Sequence, residues 1–302
     1  MNGCEKMKKS YKGELILLFT SFIWGFAFVA QSKGMEHIGP FSFNVFRFLL
    51  GGITLFIFLL VRRFLAKKEE RKPLISKNAW IGGSLIGVVL FIAASFQQYG
   101  IMFTSAGKAG FVTSLYMLLV PILSLVIKKK VPWITWISII IGLIGLFFLC
   151  VKKGERINKG DMLVLVCALV FAIHILIVDH FSTKCDGVEM SFVQFIVATS
   201  LSLIPMLWKE TISFDSVIDA KWSILYAGIL SCALAYTTQI IGQKHTNPSV
   251  ASLIMSLESV FAVLGGMLLL DEFLKIREWI GCILILGAVI LSQIKSINKQ
   301  MD

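Results

Sequence analysis

Four side chains inside the long apolar runs of this chain can carry charge: Arg47, Lys108, His174 and Glu258. A charge at mid-membrane depth costs about 2.5–3.5 kcal/mol on insertion scales, so each needs a partner or a wet cavity. Glu258 shares a helical face with Ala251, Met255, Ala262 and Gly265. Such a face suits either a carboxylate that couples a proton or substrate to motion, or one paired simply to hold helices together. Lys108 sits among Gly107, Ala109 and Gly110, small neighbours that let its stem reach a substrate carboxylate or a lipid headgroup. His174 reads as a hydrogen-bonded packing residue or as a ligand. Arg47, near the start of its run after Asn44, reads first as an anchor to lipid phosphates, and Asp179 and His180 as boundary residues.

Uncharged polar residues form stripes at helical spacing: Thr20, Trp24, Phe28 and Gln31; Ser84, Gly87, Phe91, Ala94 and Gln98; Gly228, Ser231, Ala235 and Thr238; Ser249, Ser252, Ser256 and Ser259. Lipid offers a hydroxyl nothing, so these stripes face protein or a cavity; small-residue packing is the simpler use of them. The candidate substrate contacts are Trp24, Gln31, Gln97, Gln98, Lys108, Tyr116, His174, Tyr236, Gln239, Ser252 and Ser256, with Trp24 and Tyr116 as apolar walls or gates. Glu258 is the candidate coupling residue. No H-E-x-x-H or G-x-S-x-G pattern is present, and the pair Glu69-Glu70 lies in a charged loop, so no catalytic residue is expected. The six cysteines contain no C-x-x-C and read as small core residues, so neither a metal nor another cofactor is expected.

The elements that must position these groups come in two copies. At an offset of about 142 residues Gln97 meets Gln239, Gly100 meets Gly242, Thr104 meets Thr246, and Ser114-Leu115 meets Ser256-Leu257. At about 147, Lys12-Gly13-Glu14 meets Lys159-Gly160-Asp161. That pattern reads as an internal duplication. Hydrophobic residues make up 57% of the 302 and mean hydropathy is +0.83, beyond the apolar share of soluble domains. Runs of spanning length fall near 14–32, 42–62, 79–99, 105–127, 133–151, 161–180, 190–208, 222–241, 248–270 and 276–295. Five crossings per half is odd, so the second half enters the membrane from the opposite side. The expected fold is an all-α integral membrane protein of ten transmembrane helices in two inverted five-helix repeats, residues 1–151 and 152–302.

A net charge of +11 comes from 29 basic residues placed mainly between apolar runs, which fits orientation in a bilayer rather than a nucleic-acid partner. Counting Lys6, Lys8, Lys9, Lys12, Arg62, Arg63, Lys67, Lys68, Arg71, Lys72, Lys77, Lys128 to Lys130, Lys184, Lys244, Lys295 and Lys299 on one side puts both termini in the cytoplasm; Lys152, Lys153, Arg156 and Lys159 dissent. The basic, apolar N-terminus has the character of a signal peptide, but cleavage would leave the second copy without a partner helix, so a retained first span is expected.

Trp24-Gly25, Arg47, the segment Thr104-Ser105-Ala106-Gly107-Lys108-Ala109-Gly110-Phe111, Leu119-Val120-Pro121 and Ser256-Leu257-Glu258-Ser259-Val260-Phe261-Ala262 resemble the drug/metabolite transporter superfamily, specifically its EamA branch. The resemblance covers nearly the whole chain. It implies ten helices in two inverted repeats, cytoplasmic termini, and a central cavity lined by helices 1, 3, 4, 6, 8 and 9 with 5 and 10 as outer scaffold. It also implies a carrier for small molecules. The expected function is export of amino acids or related metabolites across a bacterial inner membrane by alternating access, with proton coupling or facilitated diffusion both open. A lipid-handling protein and a non-transporting scaffold are the alternatives. The expected partners are a small-molecule substrate and the bilayer, and a homo-oligomer is left open. One residue departs from the pattern: Ser259 stands where Leu-Glu-Pro is usual, which predicts a weaker kink in the ninth helix.

Overall fold

The computed structural model describes residues 3–66, 73–104, 106–150, 158–269 and 275–298. Ser105 and the charged-loop residues Lys67, Lys68, Glu69, Glu70, Arg71, Lys72, Lys152, Lys153, Arg156 and Lys299 lie outside the described residues. The described residues are helical throughout, without a strand. The helices are α1 (Gly3–Gly34), α2 (Pro40–Leu65), α3 (Lys77–Ile101), α4 (Ala106–Ser114), α5 (Tyr116–Val126), α6 (Trp133–Cys150), α7 (Lys159–Ser182) and α8 (Gly187–Lys209). There follow α9 (Phe214–Asp219), α10 (Lys221–Leu225), a π-helical stretch (Tyr226–Tyr236), α11 (Thr237–Gln243), α12 (Pro248–Met255), α13 (Glu258–Leu269) and α14 (Ile276–Asn298).

Among the described residues, eight stretches are long and apolar enough to cross a membrane: Tyr11–Gly34, Pro40–Leu65, Lys77–Ile101, Lys108–Val126, Lys159–Ser182, Gly187–Lys209, Lys221–Gln243 and Pro248–Leu268. A shorter apolar helix covers Trp133–Leu149. Large side chains such as Phe58, Ile204 and Ile290 stand exposed on the outside, the arrangement expected where lipid tails are the solvent.

Polar side chains fix the helix ends. Asn158 and Asp161 form a reciprocal capping box at the start of α7, and Asp186 accepts from the amides of Val188 and Glu189 at the start of α8. Pro40 opens α2, and the carboxylate of Glu210, far away in sequence, accepts from the amides of Phe41 and Ser42. This cap ties α2 to the end of α8.

The halves are interleaved rather than side by side. α2 packs along α8, α3 along α7 and α8, and α1 against α13, α11 and the π-helical stretch, while α6 and α14 pack principally on each other. Two glycine crossings hold this together. A Cβ on Gly160 would sit 2.6 Å from the carbonyl oxygen of Gly100, and one on Gly13 would sit 2.8 Å from that of Gly242. Only hydrogen fits there, so the backbones approach as small-residue crossings allow. Gly13 and Gly160 are matched by the duplication, as are Gly100 and Gly242.

Two helices are broken at matched positions. α4 gives way to α5 at Leu115, and α12 to α13 at Ser256-Leu257. At each break the backbone tightens to i→i−3 bonds: Leu115 and Leu118 donate to Val112 and Leu115, and Leu257 and Ser259 to Ile254 and Ser256. Such a turn inside a helix is a common hinge element. The second break forms with Ser259, not proline, just after it. Its serines supply the bend: Ser252, Ser256 and Ser259 each donate to the carbonyl three residues back, at 2.9, 2.7 and 2.7 Å, a bond that competes with the helical ladder.

Candidate functional site

The two breaks face one another. Tyr116 is the first residue of α5 and Glu258 the first of α13, and the Tyr116 hydroxyl donates to Glu258 Oε1 at 3.0 Å. The N-terminus of a helix carries partial positive charge, so each break presents a favourable end to an anion. Beside this contact lies a small cavity of about 30 Å³, well below the roughly 300–1,000 Å³ typical of small-molecule sites.

Both halves line the cavity. The first contributes Trp24, Phe28 and Gln31 from α1, Arg47 from α2, Gln97 from α3, Thr113 from α4 and Tyr116. The second contributes Phe171 and Ile175 from α7, Ser231 and Tyr236 from the π-helical stretch, Gln239 from α11, and Glu258. The π-helical stretch is rich in small residues, and its Ser231 carbonyl accepts from Trp24 Nε1 at 3.4 Å while Trp24 and Tyr236 meet edge to face at 4.8 Å. Gln97 donates to Thr113 at 3.3 Å. Gln239 Oε1 is buried and has no hydrogen-bond partner.

Arg47 is the cation of this site. It is 3% exposed and donates to Gln31 Oε1 at 2.9 Å, with its guanidinium 4.7 Å from the centre of the Phe48 ring. Its Nε is buried and unpartnered, and among the described residues it forms no ion pair. The expectation that Arg47 anchors to headgroups is therefore corrected. Its position near the start of an apolar run suggested the membrane face, but the entry to α2 is tucked under the Glu210 cap and the side chain turns inward over Phe48.

Seven of the expected residues meet at the cavity: Trp24, Gln31, Gln97, Tyr116, Tyr236, Gln239 and Glu258. Five sit elsewhere. Lys108 pairs with Asp161 Oδ2 at 2.7 Å, and Thr104 donates to the other oxygen of that carboxylate at 2.8 Å. His174 is fully buried with Nε2 2.9 Å from Gln194 Oε1, behind the Tyr236 ring rather than on the lining. Gln98 donates to the Met35 sulfur. Ser252 and Ser256 spend their hydroxyls on the backbone and shape the break. Asp179 pairs with Lys129, and His180 lies 2.6 Å from Lys184 Nζ, as suits boundary residues. Residues not expected as contacts are Ala27, Arg47, Thr113, Phe171 and Ile175. Phe28 and Ser231 were on the polar stripes already, whereas Phe171 and Ile175 look like any apolar helix residue.

The EamA-like transporter family matches residues 11–151 and again 158–293. The chain belongs to this family. Membership of the drug/metabolite transporter superfamily follows. It is 31% identical over 294 residues to an uncharacterized transporter of Archaeoglobus fulgidus, covering 97% of this chain and 89% of that one. It is 25% identical to the uncharacterized transporter YoaV of Bacillus subtilis, covering 91% and 94%. A solved crystal structure superposes with a TM-score of 0.76 over 93% of this chain and 95% of the other at 19% identity, a likeness of fold. The EamA chain described here is a multi-pass membrane transporter of small molecules, not an enzyme.

Proposed function

We propose that this protein exports amino acids or related small metabolites by alternating access, with Glu258 as the residue that couples protons to movement. The observation that carries the reading is the Tyr116–Glu258 hydrogen bond. The two residues are equivalents in the duplication, each begins a half-helix, and they meet in a cavity that both halves line. Transporters built from inverted repeats bind substrate where broken helices of the two repeats converge.

In this reading the broken helices α4–α5 and α12–α13, and the stretch from α10 to α11, each make one crossing. The repeats, 1–151 and 152–302, then have five crossings apiece with both termini on the cytoplasmic side of the inner membrane. The reciprocal glycine crossings support that arrangement. Polar links join the halves near both faces. On the cytoplasmic side Lys129 pairs with Asp179, and Arg62 with Asp186 at 2.9 Å. On the other, Glu210 caps α2 and Lys108 holds Asp161. Alternating access requires the two sets to loosen in turn.

The test is mass-spectrometric readout of proteoliposomes loaded with mixed amino acids and metabolites, with and without an imposed proton gradient. Selective loss of a few solutes, faster with the gradient, is expected. Folded protein that releases nothing selectively, or that acts only on lipid headgroups, contradicts the proposal.

A further inference from the structure

A larger cavity, of about 420 Å³, lies away from the central site, where the end of α2 meets the starts of α3 and α8. Three cations line it, Arg62, Arg63 and Lys184, with two carboxylates, Asp186 and Glu189. The carboxylates are engaged. Arg62 bonds Asp186 at 2.9 Å and reaches Glu189 at 3.5 Å; Asp186 also accepts from the first amides of α8, and Glu189 from the Ser76 amide at 2.8 Å. Arg63 and Lys184 are left over. Among the described residues neither pairs with a carboxylate, and Lys184 rests on the His180 and Phe181 rings. At the opposite end of the α2–α8 pair the equivalent corner is filled. With the 147-residue offset Phe41 and Ser42 match Val188 and Glu189, and Arg63 matches Glu210. There the Glu210 carboxylate packs in so closely that a Cβ on Gly39 would sit 2.3 Å from its Cδ. At position 63 a cation replaces that acid, and the corner stands open.

We propose that this cavity binds the phosphate group of an anionic lipid, held between Arg63 and Lys184. Guanidinium and ammonium groups are the side chains suited to phosphate. Three cations against two carboxylates leave an excess positive charge, which favours an anion. Leu59, Ala66, Pro73 and Leu74 supply an apolar wall. A hydrated free ion gains nothing from such a wall, whereas the glycerol and upper chain of a lipid bury surface against it. Phe64 and Leu65, next to Arg63 in the chain, are 75% and 82% exposed, as suits residues among lipid tails. Arg63 therefore stands at the border where tails give way to headgroups. Arg62, in the same cavity, ties α2 of one half to α8 of the other, so the bound lipid sits on a link between the halves. This inference is independent of Glu258 and of the cargo.

The experiment titrates the purified full-length protein in detergent with phosphatidylglycerol or phosphatidylcholine of matched chains and counts bound lipid by native mass spectrometry. Wild type is expected to bind its first phosphatidylglycerol about tenfold more tightly than phosphatidylcholine. Arg63→Gln with Lys184→Gln should remove most of that preference. Lys128→Gln with Lys130→Gln, which takes two cations from outside the cavity, should keep it. All four side chains are exposed, and thermal melting checks that each variant is folded. Equal binding of the two lipids by wild type, or an equal fall in both double variants, overturns the proposal in favour of diffuse surface charge. A further arm adds inorganic phosphate alone at millimolar concentration. If it raises the melting temperature of wild type but not of Arg63→Gln with Lys184→Gln, and no lipid preference is seen, the cavity takes a soluble anion and the lipid assignment falls.

Discussion

Gly25 lies where α1 crosses α13, one residue from the cavity residue Trp24. A Cβ there would sit 2.3 Å from Phe261 Cβ, 2.7 Å from its carbonyl carbon and 2.8 Å from the Ala262 nitrogen. Comfortable carbon contacts lie at about 3.5–4.0 Å, so Gly25→Ala must push the helices apart by more than about 1 Å. None of the three opposing atoms can rotate away. Overpacking typically costs about 1–3 kcal/mol, and a backbone crossing falls at the upper end. At about 2–4 °C per kcal/mol for chains of a few hundred residues, a loss near 3 kcal/mol lowers Tm by about 6–12 °C. The assay is thermal unfolding of purified protein in detergent. Gly287→Ala is the matched control: nothing lies within 4 Å of its Cβ, and removing a helix-interior glycine gains about 0.5–1 kcal/mol. Its melting temperature should hold or rise. Equal melting of Gly25→Ala and wild type, or an equal fall in both variants, refutes the packing argument.

Replacing Glu210 by glutamine takes away the charge that caps α2 and should cost about 1–2 kcal/mol, the usual worth of a strong cap; an unchanged melt would show that the cap adds nothing. In a double-mutant cycle, Lys108→Met and Asp161→Asn should couple by about 0.5–3 kcal/mol in thermal unfolding, whereas strict additivity would mean that their 2.7 Å contact contributes no net stability. The pair Ser256→Ala with Ser259→Ala removes two of the serine-to-carbonyl bonds at the break between α12 and α13 and should slow efflux several-fold without lowering Tm. Unaltered efflux would place the origin of the break elsewhere.

Much of the architecture is written in local patterns. Apolar length marks most of the crossings, and the spacing of matched residues such as Gln97 and Gln239 already pairs positions that share one cavity. What local pattern does not contain is the direction in which a long side chain turns. Lys108 and Arg47 look alike in sequence, each a cation near the start of an apolar run. Lys108 finds Asp161 at the start of α7, while Arg47 meets Gln31 inside the cavity. The distinction is made by tertiary neighbours on other helices. The serine-built break is similar: a stripe at Ser249, Ser252, Ser256 and Ser259 suggests a polar lining, and the hydroxyls of Ser252, Ser256 and Ser259 instead bond backward to carbonyls three residues earlier in the chain. His174 likewise lies on a helix facing the site, yet Gln194 draws it behind Tyr236.

The most direct measurement of the central claim is solute efflux from proteoliposomes by wild type and Glu258→Gln, with equal pH on both sides and then with a proton gradient. The predicted result is that wild type accelerates under the gradient, while folded Glu258→Gln moves the same solute down its own gradient and ignores the protons. Equal acceleration of both proteins would contradict the assignment of Glu258, and with it the reading of the Tyr116–Glu258 contact as the working centre of the carrier.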